Sequence, residues 1–466
     1  MQHDKIVVGL DIGTTKICAL VGRKNEFGKL EILGMGKAVS EGVVRGIVSN
    51  IDKTVDAIKK AIRQAEEQSG INIGVVNVGI AGQHIKSLQH NGSITRASVD
   101  NEITQADVER LTSDMYRLVT PPGSQIIHVM PQDYKVDYEE GILDPVGMSG
   151  VRLEGNFHII TAQSTAINNI HKCVTKAGLE IDNLILEPLA SSMSVLSDEE
   201  KEAGVALIDI GGGTTDLAVF KDGIIRHAAV LPFGGNIITS DIKQGCLVMQ
   251  NQAEQLKVKF GKAIAEEASE YEIVSIPGLR DRAPKEISLK NLAYIIEARM
   301  EEIIELVYAE IQRLGFQDKL AAGIVLTGGG SQLQNLVQLA EYVTGMDTRI
   351  GYPNEHLGKS KIEAVKSPMY ATTVGLVLAG YRSLDDRNNQ RGYDEPEQNY
   401  YRTAPEPRPV AAAPAPQPAA APQPQPVAAQ PAPEAPKKSS GAGDFFQKII
   451  SRTKGLLIDD FDDKQY

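Results

Sequence analysis

Two segments of the chain carry the same pattern of apolar and polar positions. Lys5 to Val21 reads KIVVGLDIGTTKICALV, and Leu207 to Phe220 reads LIDIGGGTTDLAVF. Each has an apolar run, an Asp-Ile-Gly triplet, glycine or threonine residues, and a second apolar run. This pattern predicts a strand, a tight turn and a second strand, since glycine lets the backbone bend with little steric hindrance. The repeat indicates an internal duplication, with one hairpin in each half of the molecule.

A third glycine-rich segment, GIVLTGGGSQL, runs from Gly323 to Leu333. It predicts a buried strand, a glycine turn and a helix that begins near Ser331. Such a turn lets a flat ligand lie against the backbone, and a helix N-terminus favours negative charge. The chain's glycine segments fit neither GxGxxG nor GxxxxGK[ST], which argues against Rossmann and P-loop nucleotide sites.

Periodic apolar positions predict further elements. Residues 52–69 have apolar side chains at helical spacing, residues 99–115 read as a capped helix, and residues 126–138 alternate as a strand does. Residues 236–319 read as largely helical, with a long helix over residues 291–315.

Composition narrows the function classes. The chain has 466 residues, 42% of them hydrophobic and 23% charged, so we expect a folded protein with two or more domains. A net charge of -12 disfavours nucleic-acid binding. The three cysteines show no CxxC spacing and predict reduced thiols. The polar start and the lack of a long apolar run lead us to expect a protein that is neither secreted nor membrane-spanning.

The paired hairpins suggest a specific chemistry. Backbone N–H groups left uncovered by glycine, together with threonine hydroxyls, form an anion-binding nest for phosphate oxygens. Asp11 and Asp209 precede the two turns and would repel phosphate unless a hard divalent cation lies between them. We therefore predict Mg²⁺, held by both carboxylates through water. One copy alone is more often an ordinary turn, but two matched copies favour a nucleotide site.

The three segments, in this order, resemble the phosphate-1, phosphate-2 and adenosine motifs of the actin, Hsp70 and sugar-kinase ATPase superfamily. Residues 186–196 and 367–380 resemble its two interdomain connections. Within the superfamily the chain is most similar to the FtsA family of bacterial cell-division actins, through LDIGTTKICALVG, VGIAGQHIKS, LPFGGNIITSDI and the C-terminal tail. The resemblance implies an α/β, duplicated actin-like ATPase fold, with ATP between two lobes.

The resemblance and the composition together divide the chain. We expect a first lobe core (1–83 and 162–203), an inserted small subdomain (84–161), a second lobe core (204–240 and 320–383), a second small subdomain (241–319), a disordered linker (384–442) and an amphipathic helix (443–458). His84, His128 and His158 fall in the inserted subdomain without metal-ligand spacing and are expected to be structural or solvent-facing.

The family pattern also implies which residues contact the nucleotide. Both hairpins would hold the phosphates, and later segments would hold ribose and adenine. The implied residues are Asp11, Gly13, Thr14, Thr15, Lys16, Asp209, Gly212, Gly213, Thr214, Thr215, Gly234, Gly235, Glu254, Lys257, Gly328, Gly329, Gly330 and Ser331. Glu187 stands where bacterial actins place the residue that orients the attacking water, so Glu187 and Asp209 are the candidate catalytic residues. The alternative role of Glu187 is an ordinary helix-start charge.

The long helix of the second small subdomain has a charged face. That pattern is typical of a solvated surface. The family resemblance implies in addition that the C-terminal tail of the tubulin-like protein FtsZ docks there, with Arg299 and Glu302 at contact positions.

The last residues suggest a membrane tether. Alternating Ala, Pro and Gln up to Pro436 predict a disordered linker. Beyond it, a helical wheel places apolar and basic side chains as an in-plane membrane helix requires: Phe445, Phe446, Ile449, Ile450, Leu456 and Leu457, with Lys448 and Arg452 at the edge. The same periodicity permits docking in a partner's groove. The family resemblance favours anionic lipids.

These observations lead us to expect an ATP-binding, actin-like division protein at the cytoplasmic face of the cell membrane. It would polymerise, anchor FtsZ filaments at the division site and recruit other division proteins, with slow ATP hydrolysis at most. The alternatives are a sugar-kinase-like phosphotransferase, an Hsp70-type chaperone and a pilus-type actin relative.

Overall fold

A computed structural model describes residues 5–96, 102–278, 283–358 and 362–391. The strands in these ranges are β1 (Ile6–Ile12), β2 (Lys16–Lys24), β3 (Leu30–Val39), β4 (Val43–Val44), β5 (Ile47–Val48), β6 (Val75–Ile80), β7 (Lys86–Thr95), β8 (Ser124–Val136), β9 (Glu139–Ile142), β10 (Arg152–Gln163), β11 (Glu180–Leu186), β12 (Val205–Ile210), β13 (Thr215–Lys221), β14 (Ile224–Leu231), β15 (Ile273–Ile276), β16 (Lys285–Ser288), β17 (Ile324–Thr327) and β18 (Thr348–Ile350).

The α-helices in the same ranges are α1 (Ile51–Ser69), α2 (Gln105–Met115), α3 (Ser164–Lys176), α4 (Glu187–Val195), α5 (Asp198–Ala203), α6 (Gly235–Gly245), α7 (Gln250–Phe260), α8 (Leu289–Arg313), α9 (Leu336–Thr344) and α10 (Ala371–Arg391). Short 3₁₀ turns lie at Ala265–Glu267, Gly330–Gln332, Glu363–Lys366 and Pro368–Tyr370.

Two five-stranded sheets with the same layout form the cores of two lobes. The first lobe has the order β11-β6-β1-β2-β3, and the second has β14-β13-β12-β17-β18. In each sheet a predicted hairpin supplies antiparallel strands, β1–β2 or β12–β13, and its first strand pairs in parallel with a later strand, β6 or β17. The predicted hairpins and the predicted duplication are confirmed.

Helix α1 covers the first sheet because one of its faces is apolar. Asn50 caps its start by accepting a hydrogen bond from the backbone N–H of Lys53, and Gly70 ends it in the left-handed region. Its buried residues include Val55, Ile58 and Ala61. The helix predicted over residues 52–69 is confirmed, and it supports the strands that carry the first hairpin.

The inserted subdomain is a four-stranded sheet, β7-β10-β8-β9, packed against α2. The predicted cap of α2 is a capping box between Thr104 and Asp107. The helix itself begins at Gln105, so residues 102–104 precede it. The strand predicted over residues 126–138 is β8, which ends at Val136.

Histidines line the contact between the inserted subdomain and the second lobe. The rings of His158 on β10 and His227 on β14 are stacked with centroids 6.4 Å apart. Nearby, Gln132 Nε2 donates to Ile225 O at 2.9 Å. His84 and His158 are buried, and His128 Nε2 accepts from the backbone N–H of Leu186 at 3.0 Å. Of the two roles expected for these histidines, the structural one fits.

The second small subdomain combines helices α6, α7 and α8 with a feature that the sequence analysis missed. The strands β15 and β16 pair as an antiparallel hairpin inside the region predicted as largely helical. Each strand has only four residues, which is too short for an alternating pattern to stand out. The long helix predicted over residues 291–315 is α8.

Two helices connect the lobes and cross each other closely. They are α4 and α10, which begin within the segments predicted as connections. A Cβ atom on Gly375 of α10 would lie 1.8 Å from Ala190 O of α4, so only glycine fits at this crossing. The crossing places the first turn of each helix beside the cleft between the lobes.

Helix α10 continues past residue 384, where the linker was predicted to begin. Ion pairs between Lys24 and Asp385 and between Arg387 and Asp182 hold this part of the helix against the first lobe. The change in composition after Ser383 therefore did not mark the end of the helix. The rest of the predicted linker and the amphipathic helix lie outside the described residues. Within the described ranges, no helix is long and apolar enough to cross a membrane.

Candidate functional site

A cavity of about 700 Å³ lies in the cleft between the two lobes. Most of the predicted nucleotide residues line it together. Those that do are Asp11, Gly13, Thr14, Thr15, Lys16, Glu187, Asp209, Gly212, Gly213, Thr214, Gly235, Glu254, Lys257, Gly328, Gly329 and Gly330. The structure thus brings residues from distant parts of the chain to one concave site.

The two hairpin turns face each other across this cleft. Each is closed by one backbone hydrogen bond, from Gly13 N to Lys16 O at 3.1 Å and from Gly211 N to Thr214 O at 2.9 Å. A Cβ atom on Gly212 would lie 2.7 Å from the Thr15 side chain. A Cβ atom on Gly213 would lie 2.6 Å from Thr14 Oγ1. The second turn has glycine at these two positions because the side chains of Thr14 and Thr15 occupy the space that its own side chains would need.

Three predicted contact residues lie behind the cavity wall. Thr215 is fully buried and donates its hydroxyl to Phe233 O at 2.9 Å. Gly234 packs against the second turn, where a Cβ atom would lie 2.7 Å from Gly211 O. Ser331 is fully buried and donates to Gly328 O at 2.8 Å. These residues shape the wall and do not line the cavity, because Thr215 and Ser331 direct their hydroxyls to backbone carbonyls and Gly234 packs against the second turn.

The predicted helix start near Ser331 also differs from the structure. A 3₁₀ turn covers Gly330–Gln332, and the α-helix begins only at Leu336. The three consecutive glycines favour a tight turn over a regular helix. The backbone at this end of the cavity therefore presents a glycine shelf without the dipole of a long helix.

The carboxylate of Asp11 is held from two sides. Lys16 Nζ donates to Asp11 Oδ2 at 2.9 Å, and Thr373 Oγ1 donates to the same oxygen at 3.2 Å. Burial is the largest influence on Lys16 and works against its charge, but the Asp11 carboxylate and the other acidic groups nearby together outweigh burial and raise the pKa of Lys16. Lys16 thus stays protonated and can meet an anionic ligand in the cavity.

Asp209, on the second lobe, is held by hydroxyls from both connecting helices. Ser191 Oγ of α4 donates to Asp209 Oδ2 at 2.7 Å, and Thr372 Oγ1 of α10 donates to it at 3.0 Å. Burial raises the pKa of Asp209, while these two hydrogen bonds oppose the increase. The side chain is 6% exposed to the cleft.

Asp216 is a site residue that the sequence analysis missed. It lies directly opposite Asp209 in the register of β12 and β13, and it lines the cavity. Its Oδ1 atom is buried and has no hydrogen-bond partner among the described residues. Burial and then the Asp209 charge raise the pKa of Asp216 well above its usual range. The last aspartate of the motif GGGTTD was the available signal, since it stands at the position that register pairs with Asp209.

Glu187 occupies the first turn of α4 and also lines the cavity. A Cβ atom on Gly79 would lie 2.9 Å from its Cγ atom, so this glycine makes room for the side chain. Burial raises the pKa of Glu187 well above its usual range, and the charges of Asp11, Asp216 and Asp209 raise it further. Both roles considered for Glu187, a helix-start charge and a cleft base, fit this position.

The predicted adenosine residues form a compact ion pair at the other end of the cavity. Lys257 Nζ lies 2.8 Å from Glu254 Oε2 and donates to Gly235 O at 2.8 Å. Thr239 Oγ1 donates to Glu254 Oε2 at 2.5 Å. Val258, Leu333 and Met369 add apolar lining that the sequence analysis did not predict. These apolar side chains give the cavity surfaces against which a flat ring can pack.

The residues predicted to contact a protein partner, Arg299 and Glu302, lie outside the cavity on α8. Arg299 Nε donates to Asp241 Oδ2 at 2.6 Å, and Arg299 also forms an ion pair with Glu302. The hydrogen bond to Asp241 raises the pKa of Arg299 despite partial burial. Both residues are thus engaged within the subdomain and remain partly exposed.

The donor set of the cleft suits a hydrated hard cation. Asp11 and Asp209 present carboxylates from opposite lobes to one cavity, and Asp216 adds an unpartnered buried oxygen. In the part of the chain that the structure describes, no three His, Cys, Asp or Glu side chains lie close enough together to hold a metal ion directly. Oxygen ligands with retained water are the coordination that Mg²⁺ prefers.

Comparison with known proteins identifies the class and then the family. The paired sheets around a shared cleft define an actin-like ATPase fold. A solved structure titled "PilM-PilN type IV pilus biogenesis complex" matches with a TM-score of 0.59 at 16% sequence identity, over 80% of this chain and 98% of that chain. The family model "Cell division protein FtsA" matches residues 206–375, and "SHS2 domain inserted in FTSA" matches residues 82–161.

Relatives that match over most of their length indicate the same family. "Cell division protein FtsA" of Pseudomonas aeruginosa is 43% identical over 386 residues, which is 83% of this chain and 92% of the relative. The protein of the same name from Bacillus subtilis is 37% identical over 398 residues, which is 85% of this chain and 88% of the relative. The chain belongs to the FtsA family of cell division proteins. The predicted fold class and family are confirmed.

Proposed function

We propose that this chain binds Mg-ATP between its two hairpin turns, assembles with copies of itself on the cytoplasmic face of the cell membrane, and anchors FtsZ filaments at the division site. The observation that carries the nucleotide site is the pair of turns facing each other across one cavity, with an aspartate behind each turn. Membership of the FtsA family supports the role in division.

The phosphates would lie between the two turns. Thr14 and Thr15 offer hydroxyl groups, Lys16 offers a cation, and Gly212 and Gly213 leave backbone N–H groups accessible from the opposite lobe. Backbone N–H groups and charge-assisted hydrogen bonds are the usual ligands of phosphate oxygens. The ribose and adenine would extend toward Gly235, Lys257 and the glycine shelf at residues 328–330.

Asp11 and Asp209 would hold Mg²⁺ through its water molecules. When bound, the cation would neutralise phosphate charge and polarise the terminal phosphoryl group. The protein's own part is to fix the two carboxylates in place and to exclude bulk water from the cleft.

Glu187 is the residue that we propose for orienting the attacking water. Its raised pKa makes it a stronger proton acceptor than an exposed carboxylate once its proton is lost, and it lines the same cavity as both hairpins. Slow hydrolysis is sufficient for a protein whose nucleotide mainly fixes the angle between the lobes.

The membrane and FtsZ contacts rest on the sequence and the family. Phe445 and Phe446 would enter the acyl boundary, while Lys448 and Arg452 would meet anionic headgroups. One short helix binds reversibly, so several copies in a filament would be needed for firm attachment. Arg299 and Glu302 would contribute to the surface that receives the C-terminal tail of FtsZ.

Co-sedimentation with anionic liposomes tests the whole proposal. We expect the wild-type protein to bring FtsZ down with the liposomes, and to do so more strongly with Mg-ATP than without nucleotide. Replacing Phe445 and Phe446 with Asp should leave both proteins in the supernatant. Unchanged sedimentation of that variant would contradict the membrane anchor.

The FtsZ contact has its own test. A pull-down with an FtsZ tail peptide should be weakened by Arg299→Glu, whereas Arg313→Glu, on the same helix and paired with Glu310, serves as the matched control. Equal loss with both variants, or with neither, would contradict the assigned surface. Efficient ATP-dependent phosphorylation of any member of a sugar panel would favour the sugar-kinase alternative instead.

A further inference from the structure

Two consecutive threonines at the start of α10 contact the aspartates of opposite lobes. Thr372 Oγ1 donates to Asp209 Oδ2 at 3.0 Å, and Thr373 Oγ1 donates to Asp11 Oδ2 at 3.2 Å. Thr373 is fully buried, and Thr372 lines the cavity. One helix turn therefore holds a carboxylate from each side of the cleft.

The other connecting helix strengthens this arrangement. Ser191 Oγ of α4 lies 3.0 Å from Thr372 Oγ1, and both hydroxyls bond the same oxygen of Asp209. Ser194 Oγ donates to Ala371 O at 2.8 Å, which ties α4 to the first residue of α10. The close crossing at Gly375 leaves no room for the two helices to slide. The hydroxyls that hold Asp209 are thus fixed by packing.

We propose that Thr372 and Thr373 are positioning residues that set the spacing of the Asp11 and Asp209 carboxylates for a cation-bound triphosphate. This inference rests on the proposed nucleotide site. It adds that Thr372 and Thr373 determine the affinity of the cleft for the cation.

The physical reason is the crowding of like charge in the cleft. Asp11, Asp209, Asp216 and Glu187 all line the cavity, and Lys16 is the cation that pairs with one of them. Carboxylates that repel each other turn apart unless donors hold them. A hydroxyl donor on a packed helix fixes one oxygen of each carboxylate, and residues that orient metal-bound groups from behind commonly change metal affinity when they are replaced.

Because both donors belong to adjacent residues, the two bonds can persist together only at one separation of the lobes. Opening the cleft would lengthen one of them. The end of α10 is itself bonded to the first lobe through Asp385 and Arg387. Asp209 of the second lobe is therefore the partner expected to move relative to the threonine pair.

Valine substitutions test the proposal, since valine has the shape of threonine without its hydroxyl. Nucleotide affinity should be measured for Thr372→Val and Thr373→Val with a fluorescent ATP analogue, once in Mg²⁺ and once in EDTA. We expect each variant to lose about tenfold or more of the affinity gained by adding Mg²⁺, with the EDTA affinity unchanged. Thr372→Ser and Thr373→Ser, which keep the hydroxyl, should retain the gain.

Thr344→Val is the matched control, because Thr344 is a buried helical threonine on α9 that bonds only to its own helix and the following turn. It should behave as wild type. If a valine variant does not fold, alanine at the same position carries the same expectation.

The outcomes separate this inference from the proposed function. If the wild-type protein shows no Mg²⁺-dependent nucleotide affinity, the proposed site itself is wrong. If the wild type shows it and Asp209→Ala loses it, but the valine variants keep the wild-type gain, the nucleotide site stands and the positioning role is overturned. Equal losses in Mg²⁺ and in EDTA would also overturn it, because they would indicate general damage to the cleft.

Discussion

The two hairpins of the cleft share a frame and differ in their side chains. In both, the aspartate precedes the last residue of the first strand and the turn closes with one backbone hydrogen bond. The first turn carries Thr14 and Thr15 and ends in Lys16, whereas the second turn is Gly212 and Gly213. The first lobe supplies the side chains of Thr14 and Thr15, and the two glycines of the second lobe leave space for them.

The strand positions opposite the aspartates differ as well. Asp11 pairs with Cys18, and Asp209 pairs with Asp216. Burial raises the pKa of Cys18 to about 11, so this thiol is neutral at pH 7. The second hairpin has an acid at the equivalent position. The two hairpins therefore share their geometry, but the first carries a lysine that pairs with its aspartate and the second carries an additional acid.

Among substitutions in the two hairpins, replacing Asp209 should have the largest effect on Mg-ATP affinity. Asp209→Ala removes the carboxylate of the second hairpin, and we expect Mg-ATP affinity to fall by about 100-fold or more because the cation loses one of its two acidic partners. Calorimetric titration with Mg-ATP measures this affinity. Retained affinity in a folded variant would show that the second hairpin does not bear the cation.

Adding a methyl group to the bare turn should have the next largest effect. Gly213→Ala places a Cβ atom 2.6 Å from Thr14 Oγ1, so the turns must separate and ATP affinity should drop by about tenfold. Combining it with Thr14→Ala should restore part of the loss, because the clash is removed. Gly74→Ala, where a Cβ atom meets nothing within 4 Å, is the control. If the affinity losses of the two single variants simply add in the double variant, the result would contradict a direct contact between the two turns.

Neutralising the extra acid of the second hairpin should separate stability from binding. Asp216→Asn replaces a buried carboxyl whose charged form is disfavoured by burial and by the Asp209 charge, so the free energy of unfolding without nucleotide should rise by about 1 kcal/mol. Mg-ATP affinity should fall in the same variant. Chemical denaturation and nucleotide titration give the two values, and a loss of stability would argue that Asp216 is satisfied in the free protein.

The smallest effect concerns a contact outside the cleft that joins the inserted subdomain to the second lobe. Burial, and then the charge of His227, lower the pKa of His158 to about 4, and the Ile225 backbone opposes this decrease. The unfolded chain takes up this proton near the ordinary value of 6.5, so stability falls as pH decreases from about 6.5 toward 4.

The groups that face this ring are Ser87 on β7 and His227 on β14, and His227 in turn contacts Glu310 on α8, beside Arg313. His158→Gln keeps a polar side chain without the titration. Between pH 7.5 and pH 5.8 it should lose roughly 1 kcal/mol less of unfolding free energy than the wild type does. Denaturation curves at both pH values measure this, and parallel pH profiles for the two proteins would contradict the assignment.

Sequence patterns were sufficient for the parts of the fold that depend on local order. Glycine between apolar runs predicted both hairpins, and the capped-helix pattern over residues 99–115 predicted α2, although the helix begins only at Gln105. The short hairpin of β15 and β16 was missed because four-residue strands show no clear alternating pattern. The extension of α10 past Ser383 was missed because its ion-pair partners are distant in sequence. Asp182, for example, pairs with Arg387 across the first lobe.

The same limit applies to the site. The motifs indicated which segments surround the cavity, but not which way each side chain points within a turn. Thr215, Gly234 and Ser331 were predicted as nucleotide contacts, but in the structure they lie behind the cavity wall. Asp216 was missed because its importance arises from strand register, and Thr372 and Thr373 because their partners lie on two other strands.

A structure of the protein with Mg²⁺ and a non-hydrolysable ATP analogue would show directly whether both hairpins bind one nucleotide. We expect the triphosphate between the turns at Thr14–Thr15 and Gly212–Gly213, with the metal ion's water molecules bonded to both Asp11 and Asp209. A triphosphate that contacts only one hairpin, or that lies outside this cavity, would contradict it.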